Sequence, residues 1–192
     1  AVVAMTREEW LTLAIEKLAP IFREHVYEIR PGLKASCGFP SRGGVSARKR
    51  TLGQCWDRSC SASQTGEIFI TPLLADSVEV LGVLAHEIAH DVVGCQHGHK
   101  APFKRCATAI GLEGKMTSTT IGDMLRARLN SIVGDIGPYP HAELKASTKL
   151  KVQGTRLLKI ECPACGYTCR VTAKWIDEGL PTCHCGETFE TV

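Results

Sequence analysis

No stretch of this 192-residue chain is apolar for long enough to cross a bilayer, which takes about 20 residues, so no membrane segment is expected. A strong charge excess is also missing: 23 Lys and Arg against 20 Asp and Glu leave a net +3. That balance permits contact with nucleic acid but does not argue for it. No secretory leader precedes the ten cysteines, and they do not read as a disulfide scaffold. Four of them cluster near the C-terminus in a metal-like pattern, and the others are scattered in apolar contexts. The expectation is a monomer in a reducing, intracellular (cytoplasmic) setting. Ala1-Val-Val-Ala4 carries no functional signal. Hydrophobic content of 44% and charged content of 22% are ordinary for a globular protein, and the length allows one domain with a true core plus a small appendage.

What is present centres on His86-Glu-Ile-Ala-His90, an H-E-x-x-H pattern. On a helix its two histidines lie about 40° apart, so both imidazoles can meet one metal ion. Glu87 sits about 60° further round, within reach of a water on that metal without being a ligand. The flanks predict the helix: Val78, Leu81, Leu84, Ala85, Ile88 and Val92 form a buried stripe. Asp76-Ser-Val-Glu79 fits a capping box, and Gly94 is a stop. A catalytic zinc takes three protein ligands and keeps one position open, so the third ligand decides the chemistry. A metzincin spacing would need Gly at 93 and His at 96, where this chain has Val93 and Gln96. Glu113, the gluzincin-type option, lies in Gly111-Leu-Glu-Gly114, a poor helical context. His97 and His99 remain.

On these residues the chain resembles the SprT/Spartan family of zinc metalloproteases, in which H-E-x-x-H is followed by a short loop and H-G-x-x-F. The matching stretch is His99-Lys-Ala-Pro-Phe103, with Lys100 in place of the family's glycine. His97-Gly98 keeps the glycine but loses the aromatic spacing. The resemblance therefore implies His99 as third ligand and His97 as a neighbouring or solvated histidine. It also implies a zincin-like α+β domain of helices plus a small antiparallel sheet.

Elsewhere, Thr6-Arg-Glu-Glu9 is a capping box before Trp10, Leu11, Ala14, Ile15 and Leu18, a helix that Pro20 bends or ends. Residues 33–39, 51–56 and 67–71 read as three antiparallel strands. By analogy with zincin folds, the last of these is the edge that holds a peptide. The basic loop 42–50 has four cations and no acid, and suits either solvent or a phosphate backbone. Cys37, Cys55 and Cys60 match no common zinc spacing and read as packed or surface thiols. Pro102 opens a further helix carrying Phe103, Cys106, Ala107 and Ile110. Thr120-Ile-Gly-Asp123 caps another, with Ile121, Met124, Leu125, Leu129 and Ile132 buried, Arg126 and Arg128 outward and Gly134 closing it. Tyr139 and His141 fall in the linker and read as structural or mobile residues, with oxyanion donation as the alternative.

Near the C-terminus, Cys162-Pro-Ala-Cys165-Gly166 is a zinc knuckle, and Cys183-His-Cys185-Gly186 follows after seventeen residues. Residues 156–161, 167–172 and 187–191 read as strands of a small β zinc ribbon, with His184 and Cys169 as spare donors. Metal should drive the folding of so small a module. Such ribbons accompany SprT-like domains in bacteria and their phages.

The expectation is a metallopeptidase domain over 5–137, a linker over 138–154 and a ribbon over 155–192. His86, His90 and His99 would hold a catalytic zinc, and the four named cysteines a structural one. Glu87 would act as general base on a protein or peptide substrate. The resemblance adds substrates held on DNA, reached through loop 42–50 or the ribbon. The competing classes are a non-enzymatic DNA- or protein-binding protein with a structural H-E-x-x-H zinc, and a nucleic-acid hydrolase using the same ion.

Overall fold

In the computed structural model, which describes residues 5–44, 50–145 and 157–192, the chain opens with helix α1 (Arg7–Arg23). Thr6 and Glu9 cap it reciprocally, and Trp10, Leu11, Ala14, Ile15 and Leu18 are buried. The helix runs through Pro20 rather than ending there, and Ile21 and Phe22 continue the stripe. An interior proline costs about 3 kcal/mol. Burying each of those two side chains contributes about 1.5–3 kcal/mol, which offsets it.

Strands β1 (Lys34–Cys37), β2 (Gly53–Trp56) and β3 (Glu67–Ile70) form one sheet in the order β1-β3-β2. It is mixed rather than antiparallel, because β1 runs parallel to β3 and only β2 opposes it. The expected peptide-holding edge is also corrected. Ile68 and Ile70 are buried on one face of β3, so this most apolar strand takes the centre, with ladders on both sides, and β1 and β2 are the two edges.

Helix α2 (Ser77–Val93) packs on β2 and β3. Asp76 accepts from Glu79 N–H at 2.9 Å, and Gly94 ends the helix at φ +96°. Of the expected stripe, Leu81, Leu84, Ala85 and Ile88 are buried, joined by Val80 and Ala89, whereas Val78 and Val92 are only partly buried. A 3-10 turn (Cys95–His97) leads to α3 (Ala101–Ala109), whose Phe103, Cys106 and Ala107 are buried. The hairpin that follows, β4 (Leu112–Lys115) with β5 (Ser118–Ile121), was not expected. It lies close on α2, where a Cβ on Gly82 would come within 2.5 Å of Ile121 Cδ1.

Helix α4 (Asp123–Ile136) buries Leu125, Leu129 and Ile132. Four expectations fail here. Gly122 rather than Thr120 is the N-cap, and no side chain caps the helix. Ile121 belongs to β5 and is only partly buried. Met124 is 81% exposed, and the helix passes Gly134 to close at Gly137, φ +81°. Gly137 adopts the left-handed backbone conformation needed to turn the chain, whereas Gly134 stays helical. Arg126 and Arg128 face outward and pair with Glu79 and Glu24. After α4, Trp10 Nε1–H donates to Gly137 O and its ring packs on Tyr139. Leu144 N–H donates to Pro72 O. Residues 138–145 thus pack with the first unit, while 146–156, the remainder of the expected linker and the start of the expected ribbon, lie outside the described residues.

The chain divides into two units, Ala1–Ala146 and Ser147–Val192, and is α+β. In the second, β6 (Leu158–Glu161), β7 (Thr168–Val171) and β8 (Glu190–Thr191) form an antiparallel sheet in the order β7-β6-β8. A short helix α5 (Ala173–Glu178), not foreseen, follows β7. Its small core holds Ile160, Cys162, Cys183 and Phe189. No helix among the described residues is long and apolar enough to cross a membrane.

Candidate metal centre

Helical spacing puts His86 and His90 one turn apart on α2, and the turn after Gly94 brings His99 back to them. The Nε2 atoms of His86 and His90 each lie 3.3 Å from His99 Nε2. Four-coordinate zinc with N ligands at 2.0–2.1 Å sets tetrahedral ligand–ligand edges of about 3.3–3.4 Å, so the imidazoles fit such an ion. His97 is not one of the three.

Each ring is held by a neighbour. Phe103 on α3 is fully buried and its ring centroid lies close to all three, stacked on His90 at 4.2 Å, tilted against His86 at 4.8 Å and edge-on to His99 at 5.0 Å. Thr119 Oγ1 on β5 lies 2.9 Å from His86 Nδ1. With Nδ1–H donating to that hydroxyl, Nε2 keeps its lone pair for a cation. Burial, with the other imidazoles adding to it, lowers the His86 pKa to about 4 and that of His90 to about 3, and burial lowers His99 too. At neutral pH all three are therefore neutral donors.

Glu87 lies in the same cleft, of about 670 Å³, and is 6% exposed. Burial pushes its pKa up to about 8, while a hydrogen bond from Cys55 N–H on β2 opposes the shift. Gly53 on the same strand makes room for it: a Cβ there would lie 2.7 Å from Glu87 Oε1 and 2.6 Å from Val83 Cγ1. Arg50 and Lys115 also line the cleft. Of the basic loop, residues 45–49 lie outside the described residues. Tyr139 and His141 do not line the cleft: Tyr139 packs on Trp10, and His141 Nε2 is 2.8 Å from Pro72 O.

The second unit gathers Cys162, Cys165, Cys183 and Cys185, with all four sulfurs within 4.8 Å of one another. Cys162 and Cys185 approach to 3.4 Å, and Cys165 and Cys183 to 3.5 Å. Gly166 and Gly186 take positive φ (+72° and +97°) just after each pair, turning the backbone under the sulfurs. Backbone N–H groups of Cys165 and Ala164 favour the Cys162 thiolate and help bring its pKa to about 7. His184 lies beside Cys183 at 3.4 Å, and Cys169 packs on the small core; neither joins the group. A cluster of three imidazoles and one of four thiols could thus each hold a metal ion.

Sequence reasoning missed four features around the first cluster: Gly53, Thr119, a buried ion pair and a thiol pair. Asp91, one residue past His90 and 2% exposed, accepts from Arg58 Nε at 3.2 Å and Nη2 at 3.0 Å. Arg30 Nη2 donates to Asp91 O at 2.8 Å. Cys55 Sγ and Cys95 Sγ lie 3.3 Å apart. The charge of Asp91 and the helical context of His90 were visible, but their partners are distant in sequence and carry no local pattern. The chain matches no protein-family model, no curated protein and no solved structure.

Proposed function

We propose that the first unit is a zinc-dependent metallopeptidase of zincin-like, SprT-type architecture and the second a zinc ribbon. One observation carries the reading: three neutral imidazole nitrogens converge at tetrahedral spacing with a buried carboxylate in the same cleft. Three protein ligands are the number that catalytic zinc sites use, whereas structural sites take four. The non-enzymatic alternative needs a further protein ligand, and among the described residues His97 does not join the cluster.

When bound, zinc supplies a Lewis acid that acidifies water, polarises a carbonyl and favours the ionised form of a nearby carboxylate. His86, His90 and His99 hold it, Thr119 fixes the His86 tautomer and Phe103 fixes the ring positions. Glu87 Oε takes the proton from the attacking water and returns it to the leaving amine. The outer edge of β2 borders the cleft, so a peptide added there as a strand would run past Glu87. Substrates held on DNA follow from the SprT resemblance, with Arg42, Arg50 and the ribbon as the contacts to phosphate. Ten free thiols suit a reducing, cytoplasmic setting.

Glu87→Gln tests the reading. Zinc content should stay unchanged while cleavage of a loosely folded protein, with or without DNA, falls on the order of 100-fold or more. Undiminished proteolysis would sink it. Nuclease activity lost in Glu87→Gln, with proteolysis undetectable in either form, would favour the nucleic-acid hydrolase.

A further inference from the structure

Cys55 and Cys95 come from different elements, the edge strand β2 and the turn that links His90 to His99. Their sulfurs nonetheless meet at 3.3 Å, and both line the cleft, where a small solute reaches them. Among the described residues no third His, Cys, Asp or Glu joins the pair in a metal-sized cluster. The pair is therefore two facing thiols rather than part of a metal site. Gly94 and Gly98 bracket the turn with positive φ, +96° and +50°, conformations that glycine adopts without strain. An approach of little more than about 1 Å brings the sulfurs to bonding distance.

We propose that Cys55 and Cys95 form an oxidisable dithiol, a modification site that closes to a disulfide across the cleft wall and arrests the site beside it. Hydrogen peroxide is the oxidant. The Cys95 thiolate attacks one peroxide oxygen, forming an S–O bond and breaking O–O; the departing hydroxide leaves as water after taking up a proton. The Cys55 sulfur then attacks the sulfenic sulfur, the S–S bond forms, S–O breaks and a second water leaves carrying the Cys55 proton. Two electrons pass from the thiols to the peroxide. The asymmetry of the pair suits this order: the contact with Cys95 and burial push the Cys55 thiol up, and the same contact favours the thiolate of Cys95. Closure pulls on both sides of the centre at once, because Cys55 N–H holds Glu87 and the Cys95 turn carries His99.

The disulfide stands independently of the metallopeptidase reading; only its effect on turnover rests on it. The test treats the full zinc-loaded chain with hydrogen peroxide, traps free thiols by alkylation and maps the peptides by mass spectrometry. A Cys55–Cys95 linked peptide should appear and vanish with dithiothreitol, and it should be missing from Cys95→Ser. Proteolysis, where the reduced protein has it, should fall about tenfold or more, since misplacing a catalytic group by about 1 Å costs on that scale. Both thiols found alkylated after peroxide, or linked to other cysteines, would overturn the disulfide. A linked peptide with unchanged proteolysis would overturn the arrest. A linked peptide in a chain with no proteolysis in its reduced form would uphold the modification site and reject the peptidase.

Discussion

At the residue scale, the centre depends on small side chains that hold larger ones in place. Thr119 contributes one hydroxyl to His86 Nδ1. Thr119→Val keeps the shape and removes the acceptor, so zinc affinity at the imidazole cluster should drop about 10–100-fold, while Thr119→Ser restores it. Competition with a chelator of known affinity measures both, and equal affinities for Val and Ser would dismiss the hydroxyl. Gly53 acts by having no side chain. A methyl there would stand 2.6–2.8 Å from Val83 Cγ1 and from Glu87, so Gly53→Ala should displace the carboxylate. Proteolysis should fall on the order of 10–100-fold with zinc retained; full activity in Gly53→Ala would mean that Glu87 has room to yield.

At the element scale, legibility followed periodicity. α1 and α2 were readable because each combines a cap with a 3.6-residue apolar stripe: Thr6 before Trp10 to Leu18, and Asp76 before Leu81, Leu84, Ala85 and Ile88. The same spacing made His86 and His90 readable as a pair, and Phe103 marked where His99 would return. β4 and β5 escaped because Leu112-Glu-Gly-Lys115 and Ser118-Thr-Thr-Ile121 hold one apolar residue each and so carry no alternating apolar signal. With them went Thr119. The direction of β1 was likewise invisible, since strand order is set by which faces bury Ala35 and Ile68 rather than by local sequence. The Arg58–Asp91 pair belongs with these long-range features. It ties the last turn of α2 to the 3-10 turn at Arg58–Cys60, with the Asp91 side chain 1% and that of Arg58 15% exposed. Removing one member of a buried pair strands the other. Arg58→Ala should therefore cost on the order of 3 kcal/mol, at the lower end because Arg30 remains 3.8 Å from the carboxylate. A denaturant midpoint equal to that of the parent chain would show the pair to be dispensable.

At the scale of the whole molecule, the two units differ in what holds them together. In the first, Trp10, Leu18, Phe22, Ile68, Leu84 and Phe103 belong to one continuous buried core, and the imidazole cluster sits on elements already fixed by it. In the second, the buried residues among those described are Ile160, Phe189 and two of the cluster's own cysteines, Cys162 and Cys183, with Val171, Ile176 and Leu180 partly buried against them. Without a metal nothing links the four cysteine sulfurs, and so small an apolar cluster cannot order the sheet against chain entropy. Metal removal should therefore act unevenly. After chelation of the full chain, backbone amides of β6 and β7 should lose their protection from hydrogen exchange, while those of α1 and α2 keep theirs. Cys165→Ser should reproduce the first effect with zinc still held at the imidazoles, leaving one equivalent per chain where the parent should bind two. Should β6 and β7 stay protected in metal-free protein, the second unit would be held by packing alone, and the four thiols would need another explanation.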